Sequence, residues 1–338
     1  MADFDPAREY AAGFVGASYN PQADEELSAY VLSHGGNPDG KAVARQWGFE
    51  GRGEGELTLN FRVVEEVWGK DAMPGPAQTR GDCVSHAAKN AGLFALSHEV
   101  YNRKADEVSG KIEGKPEVPA EGVRQGVLSS DAIYHFRDHP GDGWWCHAAA
   151  QRMIDSSGLV LRKDYPELKL DLTRYDGGLA GKYYAKRPPP AEWSKMYQEH
   201  SIRTATKLES PADAREFLAA ANGGLMICSS LGFSKTRNED GYSPQQGSWA
   251  HAMTLAAYDH RDETREKYGD DGLVLILNSW GSRWNSGPRR IRGTSIDIPL
   301  GSFWAKASLL HRTSMIAVSA VNGWPVGKLP DYGASGNV

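Results

Sequence analysis

Cys83, His251 and Asn278 lie far apart in the 338-residue chain, and together they carry the chemistry of acyl transfer through a thioester. A thiol supplies the nucleophile, and a neutral histidine takes its proton or pairs with the thiolate as imidazolium. A third group must then fix the ring's orientation and tautomer, which an asparagine carbonyl does by accepting from a ring N–H. Cys83 stands where a helix should begin. Val84, Ala87, Ala88, Ala91, Phe94 and Ala95 recur at helical spacing, which predicts a core-facing helix ending near Tyr101 or Asn102. A cysteine in its first turn sits at the positive end of the macrodipole, beside backbone N–H groups that favour thiolate.

The histidine and the asparagine are placed by a hairpin. One strand is predicted to end near Tyr258 and the next to begin near Gly272, joined by the charged stretch Asp259 to Asp271 with its midpoint at Arg265. Antiparallel partners keep a roughly constant index sum, so Asn278 should pair near position 252, one residue from His251. A slip of one residue would turn either side chain to the other face. The charged stretch itself reads as a solvated hairpin tip.

Around these residues the chain divides into a helix-rich first half and a strand-rich second half, an α+β pattern with two lobes. Helices are predicted from Ser130, as cap, through Phe136, from Trp144 to Ser156, and from Ala212 to Ala221 after Ser210-Pro211. Leu225 to Cys228, Trp249 to Tyr258 and the continuously apolar Leu273 to Leu277 read as strands. Residues 1–70 read as an N-terminal extension with a short helical pattern at Ala23 to Ser33. The domain proper is expected over 71–325, with a helical lobe at 71–200, a Gly/Lys/Glu/Pro-rich insertion at 103–127 and a β lobe at 201–325; residues 326–338 form a tail. The glycine-rich run Gly51-Arg52-Gly53-Glu54-Gly55 follows no strand and so lacks the context of a phosphate loop.

Composition narrows the function classes. Lys+Arg 38 against Asp+Glu 43 gives a net charge of -5, so no global basic field attracts nucleic acid, and no apolar run approaches the length of a membrane span. The start, Met1 to Pro6, has neither a basic n-region nor an apolar h-region, so no secretory signal is expected. Cys83, Cys146 and Cys228 are too few and too widely spaced for a disulfide scaffold, which points to a reducing, cytoplasmic setting, with a virion as the alternative. Zinc is the rival use of the first cysteine, through Cys83-x-x-His86, the adjacent Cys146-His147, and His135 with His139 one turn apart. No paired Cys-x-x-Cys or His-Glu-x-x-His accompanies them, so no metal or other cofactor is expected. His86 competes with His251 as base, but on the cysteine's own helix its geometry toward the thiol is poor.

Gln78-Thr79-Arg80-Gly81-Asp82-Cys83-Val84-Ser85, then Trp249-Ala250-His251-Ala252, then Asn278-Ser279-Trp280-Gly281-Ser282-Arg283-Trp284 resemble the papain-like cysteine peptidase family in its order of Cys, His and Asn. Gly141-Asp142-Gly143-Trp144 and the exit Gly158-Leu159-Val160 to Asp164-Tyr165-Pro166 resemble its first lobe. The resemblance spans residues 74 to about 312 and fits a divergent, non-secreted bacterial or viral relative. It implies a papain-like two-lobed fold, with the cysteine on a helical lobe, His and Asn on an antiparallel β lobe, and a cleft between them for a peptide or protein substrate. By the same resemblance Cys83 is nucleophile, His251 base then acid, Asn278 the orienting group, Trp280 a shield over the His–Asn contact, and Gln78 an oxyanion donor beside the Cys83 N–H.

Several features depart from the family. Gln78 precedes the cysteine by five positions where six are usual, Val84 replaces a tryptophan, and the family's structural disulfide cysteines are missing. Asp82 puts a carboxylate beside the thiol, which would raise the thiol's pKa if it pointed inward. The 168-residue interval from Cys83 to His251 exceeds the usual one, as an insertion would produce. The expectation is a cysteine peptidase cleaving peptide or isopeptide bonds. A second reading is a papain-fold structural or binding component of a larger assembly, and a third transfers the acyl group to an amine.

Overall fold

The computed structural model describes residues 48–105, 115–198, 205–220 and 223–319, together with residues 25, 26, 29, 45, 200 and 202. Most of the predicted helix at Ala23 to Ser33, the middle of the 103–127 insertion and the whole 326–338 tail lie outside the described residues.

In chain order, the helical part comprises β1 (Leu57–Thr58), α1 (Asn60–Trp68), α2 (Cys83–Ala105), α3 (Ala120–Arg124), α4 (Ser130–Tyr134), α5 (Cys146–Asp155), the small hairpin β2 (Asp164–Tyr165) and β3 (Leu170–Asp171), α6 (Gly177–Lys182) and α7 (Ser194–Gln198). The sheet part comprises β4 (Ala205–Leu208), α8 (Pro211–Ala219), β5 (Gly223–Phe233), β6 (Gln245–Asp259), α9 (Asp262–Tyr268), β7 (Leu273–Leu277), β8 (Ser302–Lys306) and β9 (Thr313–Ser319). The strands form an antiparallel sheet in the order β4-β9-β5-β6-β7-β8, with β1 added on β6. The protein is thus α+β: a helical lobe carries Cys83, and an antiparallel lobe carries His251 and Asn278.

The sheet is covered on both faces, which is why its strands read as apolar runs. Met226, Cys228, Ala252, Leu275 and Leu277 pack with α2 in one core. Their alternates Leu225, Ile227, Met253, Val274 and Ile276 pack with Phe217 and Leu218 of α8 in a second. The helix α8 begins with a capping box, Ser210 accepting from the Asp213 N–H while Asp213 accepts from the Ser210 N–H. The helix α4 is capped by Ser129, one residue before the predicted cap, through the Ala132 N–H.

The long helix α2 crosses the sheet at β5 and β6. Thr254 Oγ1 donates to the Ala87 carbonyl at 3.1 Å, and Gly224 lies so close to the helix that a Cβ there would meet the Ala91 carbonyl oxygen at 1.9 Å. The sequence needs glycine here because backbone meets backbone. Gly224→Ala is therefore expected to destabilise the protein by about 3 kcal/mol or more, at the upper end for overpacking, read as a lowered urea midpoint at unchanged slope. A midpoint equal to that of the native chain would show that the crossing yields.

Two expectations are corrected. Part of the 1–70 extension belongs to the core: β1 pairs with β6, and Phe61, Val64, Val67 and Trp68 of α1 are buried in the cluster that holds α2. The stretch Asp259 to Asp271 carries a helix, α9, whose Thr264 and Tyr268 are buried, so it is more than a solvated tip.

Candidate active site

Cys83 is the first residue of α2 and is fully buried. The helix starts on the carbonyl of Asp82, which accepts from the His86 N–H at 3.2 Å and from Ser85 Oγ at 2.8 Å. The preceding loop is held by its neighbours. Gly143 N–H donates to the Gly81 carbonyl at 2.7 Å, and Tyr134 OH donates to the same carbonyl at 3.1 Å. Arg80 Nε donates to Asp142 at 2.9 Å.

His251 lies on β6 opposite Ser229 of β5, and Asn278 follows the last residue of β7. Thr254 pairs with Leu277 and Ala257 with Leu275 across a bulge, so the register places Asn278 opposite residue 253 where the midpoint argument gave 252. His251 is then a diagonal neighbour of Asn278, still within side-chain reach. The two meet: His251 Nε2 lies 2.8 Å from Asn278 Oδ1. An amide oxygen only accepts, so Nε2 carries the proton and Nδ1 is the basic nitrogen. Trp280 lies over the ring with centroids 4.6 Å apart and planes at 32°, and Trp249 and Trp284 pack against Trp280 in turn. This aromatic cover keeps water from the His–Asn contact. Burial lowers the His251 pKa to about 4, the nearby His86 adds to the effect, and the Asn278 hydrogen bond opposes it. The ring is a neutral base at pH 7.

Gln78 is buried and firmly held. Its backbone N–H donates to the Ser279 carbonyl at 2.8 Å, its side-chain oxygen accepts from Ser279 Oγ, and its amide donates to the Arg80 carbonyl at 2.7 Å. Ser279 thus links the cysteine loop to the Asn-Ser-Trp run, a role the sequence reading did not assign.

The other two cysteines correct the sequence reading. Cys146 of α5 and Cys228 of β5 form a disulfide, with Cα atoms 6.5 Å apart, that ties the helical lobe to the sheet. Cys228 pairs with Ala252, the neighbour of His251. A disulfide of this kind is rare in a reducing compartment. The proposed zinc ligands are also engaged elsewhere: Cys146 in this bond, and His135 between Tyr197 OH at 2.7 Å and the Leu179 carbonyl at 3.0 Å. Among the described residues, no three His, Cys, Asp or Glu side chains converge as a metal site would require. No helix among them is long and apolar enough to cross a membrane.

An open cleft of 590 Å³ lies nearby, lined among others by Arg62, Lys70, Pro74, Ser282, Arg289 and Asp297. It borders the Asn278 to Trp284 run at Ser282 but is not lined by Cys83, His251 or Asn278.

No protein-family model and no curated protein matches the sequence. Among solved structures the chain is similar to xylellain, a cysteine protease from Xylella fastidiosa, at 18% identity over 73% of this chain and 82% of that one, with a TM-score of 0.43. It is similar to the proform of the ragweed pollen allergen Amb a 11, a cysteine protease, at 14% identity and a TM-score of 0.41, covering 78% of this chain and 64% of that one. A cysteine protease of Carica candamarcensis in complex with E-64 gives 16% identity and a TM-score of 0.39, over 73% of this chain and 92% of that one.

Proposed function

We propose that the chain is a divergent papain-like cysteine peptidase that cleaves peptide or isopeptide bonds through a thioester on Cys83. The observation that carries this reading is the 2.8 Å contact of His251 Nε2 with Asn278 Oδ1 beneath Trp280, on the strands against which the Cys83 helix packs. In this reading His251 Nδ1 takes the thiol proton and the sulfur adds to the substrate carbonyl. The resulting oxyanion is held by the Cys83 N–H and the Gln78 amide, which Ser279 and Arg80 orient. The imidazolium then protonates the leaving amine as the C–N bond breaks. A water, activated by the same ring, hydrolyses the thioester and restores the thiol. An amine in place of that water would give acyl transfer, and product mass separates the two outcomes.

Cys83 and His251 are both fully buried, so in this reading turnover requires the packing over them to open. The Cys146–Cys228 disulfide supports an oxidising compartment over the cytoplasm.

The test is thiol labelling with iodoacetamide or an epoxide probe, together with hydrolysis of a mixed peptide library. The expected result is labelling confined to Cys83, with hydrolysis abolished both by the label and by Cys83→Ala. Hydrolysis that survives Cys83→Ala removes the proposal. A native chain that neither labels nor hydrolyses would leave the structural-component reading.

A further inference from the structure

Beneath the nucleophile lies a charged cluster that the reaction as described does not use. Asp82, next to Cys83 in the chain, is fully buried. Its Oδ2 accepts from Tyr175 OH at 2.9 Å, while its Oδ1 accepts no hydrogen bond among the described residues. A buried carboxylate with an unsatisfied oxygen needs a countercharge. His86, one turn into α2, supplies a nitrogen 3.6 Å from Oδ2. The same Nε2 lies 3.4 Å from Ser130 Oγ, and the ring meets Tyr175 edge to face at 5.0 Å. Tyr175 OH in turn accepts from the Thr79 N–H at 3.1 Å, so the pair is fastened to the loop that leads into Cys83.

We infer that Asp82 and His86 form a buried ion pair that sets the charge beneath Cys83, with His86 a positioning residue whose imidazolium cancels the carboxylate that would otherwise oppose thiolate formation. The inference rests on the reading of Cys83 as nucleophile. It resolves the departure at Asp82: the side chain points to His86 and Tyr175, and the pair as a whole is neutral. The other groups around His86 are themselves accounted for. Arg162 is paired with Asp131 at 2.6 Å and donates to Ser130 Oγ at 3.3 Å. Lys89 lies one turn further along α2, where burial lowers its pKa to about 7. His251, on β6, is close enough to feel the charge of His86.

The experiment is a double-mutant cycle on the full chain with Asp82→Asn, His86→Gln and both together. The thiolate of Cys83 is titrated by its ultraviolet absorbance against a Cys83→Ser blank in each background, so the readout needs no turnover. His86→Gln leaves the carboxylate uncompensated and is expected to raise the thiolate midpoint by about one pH unit, a tenfold smaller thiolate fraction at fixed pH. Asp82→Asn is expected to lower the midpoint by a similar amount, and the double variant to return close to the native value. A residue that only packs would give no shift, or shifts of the same sign that do not cancel in the double variant, and either result in folded protein overturns the inference. If His86→Gln does not fold, Asp82→Asn decides alone, because an isosteric amide that leaves the midpoint unmoved is incompatible with the pair. Peptide hydrolysis is measured separately: shifts without hydrolysis overturn the peptidase reading, and hydrolysis without shifts overturns the ion pair.

Discussion

Replacing His251 by alanine is expected to reduce peptide hydrolysis by on the order of 10⁴-fold or more, with the fold intact by circular dichroism. No other described group is placed to do its work. Nε2 is committed to Asn278, so the whole acid–base cycle passes through Nδ1 of one ring. His86, the alternative the sequence offered, has its Nε2 turned to Asp82 and Ser130. Because the loss falls on steps that need proton transfer, it should appear in kcat more than in KM. Asn278→Ala should cost less, since the Trp280 ring still holds the imidazole from above, 4.6 Å from its centroid. A His251→Ala variant within tenfold of the native rate would mean that another base serves Cys83. Losses at Cys83 and His251 should also fail to add, because either change disables the same unit.

The second large effect is on stability in acid. Burial lowers the pKa of His251 to about 4 and those of His98 and His135 to about 3. Each folded-state value lies below the ordinary 6.5, so as the pH falls the unfolded chain binds the proton first. The stabilising contribution is complete above pH 6.5 and is lost as the pH drops toward 4 for His251 and 3 for the other two. At about 1.4 kcal/mol per unit, His251 alone accounts for about 3 kcal/mol, and the three together rival the stability of an ordinary domain. Lys89 acts in a different window. Lowered to about 7, it has already exerted its effect between pH 10.5 and 7 and adds nothing to the slope below. The denaturation midpoint is expected to fall steeply between pH 6.5 and 4.5, and His135→Phe should flatten part of that slope. A midpoint constant over this range would show that these rings titrate in the folded protein as they do in water.

What the sequence disclosed depended on whether the signal was local. The start of α2 at Cys83 was legible because Val84, Ala87, Ala88, Ala91 and Phe94 repeat with the helical period, and all are buried in the structure. The meeting of His251 with Asn278 was legible because a hairpin nearly conserves its index sum; the bulge between Leu255 and Ala257 moved the pairing by a residue without breaking the contact. The disulfide was not legible, since Cys146 and Cys228 are separated by 82 residues and nothing local marks them as partners. Tyr175 gave no signal either, because it reaches Asp82 from a loop whose course depends on tertiary packing. The N-terminal boundary failed for a related reason: β1 is two residues long, too short to show alternation, yet its pairing with β6 brings α1 onto the core.

The sulfur bridge between α5 and β5 has a consequence for the integrity of the chain. It encloses the whole stretch from Cys146 to Cys228, including the proline run Arg187-Pro188-Pro189-Pro190. Scission of a single peptide bond anywhere in that stretch would leave two fragments, one bearing the thiol and the other the imidazole and carboxamide, still covalently joined. The protein can thus exist as a two-chain molecule whose halves part only under reducing conditions.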